Sequence, residues 1–284
     1  MVNYNGNLVG NDSSFLNHEN RGLRYGDALF ETLRVKQSGI LFWEDHYFRL
    51  MASMRMLRME IPMDFTLEYL NEQIKQTLQA NSLSNSAARV RLTVFRNNGG
   101  RYLPQTNEVS FIIETEALDS EEYTLNQRPY EIELYKDYFL APGLLSGLKT
   151  ANKAINVLGS IYAKENGYQN CLLLNVNKEV VEALHGNLFL VQGQKIKTPP
   201  LSSGCLNGVM RKQLIELLKA DDTYQLEEGT ISPFDLQKAD ELFITNVIAG
   251  VQPVSKYRKA QYKSIMATEL IHRLNKNLEK LSSD

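Results

Sequence analysis

The sequence predicts an α+β protein in two domains, and three observations carry that expectation. Short runs with period-two alternation recur beside segments whose apolar residues fall at helical spacing. The strand-like runs are closely spaced around turn signals, as antiparallel strands are, and the helices occupy segregated positions. The stretch 114–128 is acidic and poor in large apolar groups, and it divides a chain of 284 residues, long enough for one large domain or two small ones. The expected division is a smaller domain over 1–116, a linker over 117–128 and a larger domain over 129–284.

Taken in order, Tyr4-Asn-Gly-Asn-Leu-Val9 reads as a hairpin around an Asn-Gly turn. Ala28 to Val35 alternates like a half-buried strand; Ser38-Gly39 is a turn signal, and Leu41-Phe-Trp43 opens another short strand. Phe48, Leu50, Met51, Met54 and Leu57 put a helix over 46–59, and Leu67, Leu70, Ile74 and Leu78 put a second over 65–80. Strands at 90–95 and 109–113 flank an Asn-Asn-Gly-Gly-Arg loop. The second half opens with a strand at 131–138 and a helix at 152–166 stopped by Gly167. Strands follow at 171–176, 180–182, 187–191 and 195–197, with turns at 175–178 and 192–194. Helices at 209–218 and 264–281 bracket a strand at 241–246.

Bulk composition excludes several classes. A formal charge of -2 gives no electrostatic footprint for nucleic acid or an anionic membrane, and Lys256-Tyr-Arg-Lys259 reads as solvated surface. The start of the sequence shows no basic-then-apolar leader and no apolar run reaches bilayer length, so a cytoplasmic protein is expected. Cys171 and Cys205 form no CxxC pair, which suits buried thiols in a reducing compartment. His18, His46, His185 and His272 show no metal-ligand spacing, and no metal is assigned. Neither a P-loop, a dinucleotide fingerprint nor a nucleophile elbow is present.

The residues that can carry chemistry lie mostly in the second half. Lys149 follows the small-residue loop Gly143-Leu-Leu-Ser-Gly and precedes a helix; Lys153 is the alternative on chemistry alone. Glu182 is a lone carboxylate among apolar neighbours, where an ionised group needs a cationic partner. A lysine that forms a Schiff base and a carboxylate that holds a pyridine nitrogen protonated suggest pyridoxal 5'-phosphate chemistry. Leu206-Asn-Gly208-Val-Met-Arg211 opens a helix whose N–H groups can bind an anion, although Asn207 and Gly208 are also ordinary capping residues. Thr245-Asn246-Val-Ile-Ala-Gly250 offers a second donor turn, and Arg49 a fixed fork of charge.

In order along the chain, these pieces resemble the class IV, or fold-type IV, pyridoxal phosphate enzymes. That family includes branched-chain aminotransferases, D-amino acid transaminases and 4-amino-4-deoxychorismate lyases. The pieces are Tyr25-Gly-Asp27-Ala-Leu-Phe-Glu31-Thr, His46-Tyr-Phe-Arg49-Leu, Leu148-Lys149-Thr-Ala-Asn152, Glu182-Ala-Leu-His-Gly-Asn187-Leu-Phe, Thr198-Pro-Pro-Leu, Leu206-Asn-Gly-Val-Met-Arg211 and Phe243-Ile-Thr-Asn-Val-Ile-Ala-Gly-Val-Gln-Pro-Val254. The resemblance implies two α/β domains with the cofactor at their interface, and a homodimer whose partner lends a loop to the active site. It implies that Lys149 binds the cofactor covalently and moves the substrate proton, and that Glu182 pairs with the pyridine nitrogen. Arg49, the backbone of Val209 and Met210, and Asn246 with Val247 would hold the phosphate, and Leu206 would pack on the ring. Phe30 and Arg96 are the expected substrate contacts, Arg96 for the carboxylate; a surface arginine at a strand end is the other reading of Arg96.

The expected activity is transfer of an amino group between an α-amino acid and a 2-oxo acid. The alternative is an aminodeoxychorismate lyase releasing pyruvate and 4-aminobenzoate. Arg96-Asn-Asn-Gly-Gly-Arg101-Tyr resembles the lyases, and Lys149-Thr-Ala-Asn152 the lyases and the D-amino acid transaminases more than the branched-chain enzymes, whereas Phe30-Glu31-Thr32 resembles the transaminases, the lyase having threonine in place of Glu31. A cofactor-binding protein without turnover is a third reading, against which the presence of both Lys149 and Glu182 speaks.

Overall fold

The computed structural model describes residues 1–37 and 39–281; Ser38, half of the expected Ser38-Gly39 turn, lies outside the described residues. The chain divides into two compact units, one of Met1–Glu121 with Lys149–Asn152, the other of Glu122–Leu148 with the residues from Lys153 onward. The four residues from Lys149 to Asn152 therefore belong with the first unit, where the sequence reading had put them in the second domain.

In the first unit, β1 (Val2–Tyr4) and β2 (Asn7–Val9) form the expected hairpin, with Asn5 and Gly6 both at positive φ as its turn demands. A short helix α1 (Arg21–Tyr25), capped by the Asn20 side chain, leads into β3 (Ala28–Lys36) and β4 (Gly39–Ile40). Helices α2 (Trp43–Met56) and α3 (Leu67–Ala80) precede β5 (Ala88–Arg96) and β6 (Val109–Ala117). The sheet order is β2-β1-β6-β5-β3-β4, antiparallel throughout. Leu29, Leu33 and Val35 of β3, Leu50 and Met54 of α2, and Leu70, Ile74 and Leu78 of α3 are all buried.

Three expectations are corrected here. Leu41-Phe-Trp43 does not open a strand, and Trp43 starts a helix instead; α2 begins after Phe42 at φ 55 with no side-chain cap, so the usual start signal is missing, although Glu44 and Asp45 suit the dipole. β3 is buried on both faces, not half-buried. β6 runs to Ala117, through the acidic residues that were read as the approach to a linker, because Glu114 and Glu116 pair opposite Arg91 and Arg89.

The second unit opens with β7 (Glu131–Leu140), α4 (Ala154–Glu165), β8 (Asn170–Asn175), β9 (Val180–Ala183), β10 (Gly186–Gln192) and β11 (Lys195–Thr198). Then come α5 (Val209–Lys219), β12 (Gln225–Glu228), α6 (Pro233–Lys238), β13 (Glu241–Asn246) and β14 (Gly250–Pro253). A small hairpin of β15 (Lys256–Tyr257) and β16 (Ala260–Gln261) and the long α7 (Ile265–Leu281) close the chain. The main path is β12-β11-β10-β9-β8-β7-β15-β16, with β13 and β14 branching from β10. This sheet is mixed, since β7–β8, β7–β15 and β11–β12 run parallel. One apolar cluster gathers Leu172, Leu188, Leu242 and Tyr257, and α4 closes another over Tyr135, Cys171 and Leu184. Burial pushes the Cys171 and Cys205 thiols up to about 11.

Leu70 is fully buried on α3. Leu70→Ala should therefore cost about 3 kcal/mol in urea unfolding. A loss below ~1 kcal/mol would mean that the α3 face is not the packed core described.

Candidate active site

In the first unit the site is built on β3. Alternation along that strand sends Phe30 to one face of the sheet and Glu31 to the other, toward α2. One edge of β3 pairs with β5; the other receives Lys149–Asn152, through Phe30 N–H to Lys149 O (2.9 Å), Ala151 N–H to Ala28 O (2.9 Å) and an antiparallel bridge of Leu29 with Thr150. Lys149 thus lies opposite Phe30, with its Nζ 4.3 Å from the ring centroid. Arg91 of β5 brings a second cation to the same ring, its guanidinium carbon 3.9 Å from the centroid. Sequence reasoning missed Arg91; its signal was position, two residues from Thr93, which pairs with Phe30.

On the other face, Glu31 is 1% exposed. Arg49 Nε donates to Oε1 at 2.8 Å and Arg49 Nη2 to Oε2, a bidentate pair. His46 Nδ1 lies 2.8 Å from the same Oε2. Burial works to raise the Glu31 carboxyl, but the charge of Arg49 and the hydrogen bonds from His46 and Arg49 outweigh it and hold it at about 2. An ionised carboxylate only accepts, so Nδ1 of His46 carries the hydrogen. Burial keeps His46 below its usual value, against the pull of Glu31 and aided by Arg49 and Lys149. His46 and Glu31, like Arg91, were given no place in the site by sequence reasoning, although both stood in the quoted pieces.

Arg96 is placed elsewhere. It is buried, with Nε to Asp27 Oδ2 (2.9 Å), Nη1 to Asn107 Oδ1 (2.6 Å) and Arg58 O (3.2 Å), and Nη2 to Leu57 O (2.7 Å). Arg21 shares the Asp27 oxygen at 2.9 Å and ties down Gly99 O and Arg101 O. Arg96 is therefore a strut of the 97–107 loop, and the expectation that it binds a substrate carboxylate is corrected: it is buried and makes four hydrogen bonds inside the unit.

In the second unit, Glu182 on β9 sits between the buried residues Val181 and Ala183. Glu182, Asn187 and Thr245 form a row across β9, β10 and β13. Glu182 Oε2 accepts the Leu206 N–H (2.9 Å), and Asn187 Nδ2 donates to Leu206 O (2.8 Å), so both side chains hold the loop before α5. A Cβ on Gly208 would fall 2.0 Å from Asn187 Oδ1, so any other residue there would displace the amide that holds Leu206 O. Gly208 caps α5 without a side-chain hydrogen bond, and Val209 and Met210 stand in the first turn, where N–H groups lack intrahelical acceptors.

Asn246 ends β13 as a turn builder. Its Oδ1 accepts from Ile248 N–H (3.0 Å) and Ala249 N–H (2.9 Å), and its Nδ2 donates to His185 O (3.1 Å). What this turn can offer an anion is main chain at 246–247, not the asparagine side chain. Lys153 is the N-cap residue of α4; burial lowers its pKa while Glu182 opposes that. The structure thus gathers Phe30, Arg49 and Lys149 in the first unit and Glu182, Leu206, Val209, Met210, Asn246 and Val247 in the second.

Comparison with known proteins gives one consistent result. The family model described as amino-transferase class IV matches residues 28–257. The aminodeoxychorismate lyase of Vibrio harveyi is 26% identical over 261 residues, covering 91% of this chain and 93% of that protein. A branched-chain aminotransferase structure from Thermoproteus uzoniensis superposes with a TM-score of 0.85 at 21% identity, over 97% of this chain and 93% of that one. A Brucella abortus aminotransferase bound to PLP superposes at 0.83 and 21% identity, over 96% of both chains. These likenesses are those of two-domain fold-type IV enzymes.

The pH behaviour of the buried cluster has a definite sign. Glu31 and His46 both titrate below their ordinary values of 4.5 and 6.5, so each contributes stability that is complete above that value and lost on acidification. The urea midpoint should fall as pH drops below about 6.5 and again between about 4.5 and about 2. The first loss should shrink in His46→Asn, which keeps a donor toward Glu31 without a titrating ring. A midpoint that rises on acidification would contradict this account.

Proposed function

The chain belongs to the amino-transferase class IV family, and from that premise we propose that it is a pyridoxal 5'-phosphate-dependent aminotransferase acting between an α-amino acid and a 2-oxo acid. The observation that carries the proposal is Lys149, fixed by main-chain pairing opposite Phe30 with Arg91 at the same ring. The donor set fits the cofactor: an amine, a carboxylate on a strand, and a helix N-terminus with no side-chain cap whose Gly208 leaves no space for a Cβ.

Bound cofactor supplies the electron sink for the pair left when the substrate Cα loses its proton. Lys149 takes that proton and returns it. Glu182 would accept a hydrogen bond from the protonated pyridine nitrogen and so favour its charged form. In the second unit Val209, Met210 and the main chain at 246–247 would hold the phosphate and Leu206 would border the ring; in the first unit Arg49 would be the phosphate's cation. Phe30 lines the substrate side. Arg91 takes the carboxylate role first given to Arg96, because its guanidinium lies at Phe30.

A second reading, the lyase, is favoured by the likeness to the Vibrio harveyi enzyme. The Phe30-Glu31-Thr32 piece, which resembles the transaminases, supports the transferase over it, and Glu31 there is ionised and doubly bound. We propose a homodimer as the assembly; Val157, Leu158 and Ile161 of α4, exposed apolar groups on one helix face, suit that state.

Borohydride should trap the cofactor on the unmodified protein and on Lys153→Ala but not on Lys149→Ala; trapping on Lys149→Ala would move the role to Lys153. Glu182→Gln should retain cofactor and slow turnover by about a hundredfold. Unchanged turnover would remove Glu182 from the chemistry. Bleaching of the visible band by an amino acid alone marks the transferase, whereas pyruvate from aminodeoxychorismate without an amino acceptor marks the lyase.

A further inference from the structure

We propose that Glu31 is a positioning residue: it clamps the Arg49 guanidinium so that its outer edge is presented to the phosphate, an inference that rests on the cofactor reading above. Arginine carries five donors in one rigid plane. Glu31 engages Nε and Nη2, one whole side of that plane, and so fixes both its orientation and the direction in which Nη1 points. The carboxylate is itself held from a third direction by His46 Nδ1 at 2.8 Å, one helical turn before Arg49 on α2. Arg49 is further anchored through its main chain, whose oxygen accepts the Ser53 hydroxyl at 2.7 Å.

Exposure follows the same gradient. The Glu31 side chain is 2% exposed and that of Arg49 11%, so the carboxylate is the interior end of the pair and the guanidinium the outer end. Such a pair is a poor device for stability alone, because apolar residues of similar volume hold two elements together as well or better. What the pair adds is a fixed plane of donors. Glu31 therefore acts through Arg49 and touches no substrate; the groups that face it are the Arg49 guanidinium and the His46 ring of α2.

The test compares pyridoxal phosphate with pyridoxal, which lacks the phosphate, by titration of the unmodified protein, Glu31→Gln, Arg49→Ala and the double variant. Glu31→Gln should lose about tenfold in affinity for pyridoxal phosphate and stay within about twofold for pyridoxal. In the Arg49→Ala background it should cause no further loss. Equal losses for both ligands, no loss for either, or losses that multiply in the double variant would overturn the proposal. Should Glu31→Gln not fold, Glu31→Asp keeps the charge but withdraws it by one methylene. A selective loss for pyridoxal phosphate is again expected there, and an unaltered preference overturns the proposal. If the unmodified protein itself shows no preference for pyridoxal phosphate over pyridoxal, the cofactor reading falls as well; if it does and the variants keep it, only the role of Glu31 falls.

Discussion

Much of the chemistry placed in the first unit depends on the register of β3. The strand is paired on one edge with β5 and on the other with β4 and the 149–151 segment, and these partners agree on a single register. Side chains alternate along a strand, so a slip of one residue would send Phe30 to the α2 face and Glu31 to the Lys149 face. The register thus decides two things together: which ring lies under the lysine, and which carboxylate meets Arg49 and His46. Leu29, Leu33 and Val35, none more than 1% exposed, secure it by burial.

The two units use different physics. The first relies on full charges in low-dielectric surroundings, where Glu31, Arg49 and His46 satisfy one another and Arg91 and Lys149 share a ring. The second relies on main-chain groups. Its helix terminus and its 246–249 turn are shaped by Asn187 and Asn246, uncharged amides that spend their hydrogen bonds on backbone. Within the second unit Glu182 is the charged member: it holds the Leu206 N–H and stands in the Glu182–Asn187–Thr245 row.

Periodicity revealed the elements with clear internal patterns, such as α3, whose Leu70, Ile74 and Leu78 are buried as spaced. It failed where the signal was positional. The start of α2 lacks a normal cap, and Phe42 at φ 55 gives no residue-type hint. Helix α6 was missed although Ser232 and Asp235 form a capping box that spacing alone announces. The candidate site was proposed from motif order, which singled out Lys149, Glu182, Leu206, Val209 and Met210. It was misread at Arg96, because a strand-end arginine looks the same in sequence whether it faces a ligand or, as here, braces a loop through Asp27 and three carbonyl or amide oxygens. It was also incomplete at Arg91, which comes to Phe30 only through the pairing of β3 with β5.

The chain leaves the first unit at Glu121, returns for Lys149–Asn152 and leaves again. During synthesis the sheet built from the first 121 residues therefore emerges with the start of one β3 edge bare, and its partner arrives only after β7 has been made. Until then Ala28 O and Phe30 N–H are open groups on an apolar strand, the kind of edge that recruits other chains. The segment that carries Lys149 is thus also the plug of a nascent edge. Separating the units by cutting at Glu121 would remove both at once, so neither the order of synthesis nor the boundaries of a fragment can be chosen as though the first unit were a continuous piece of chain.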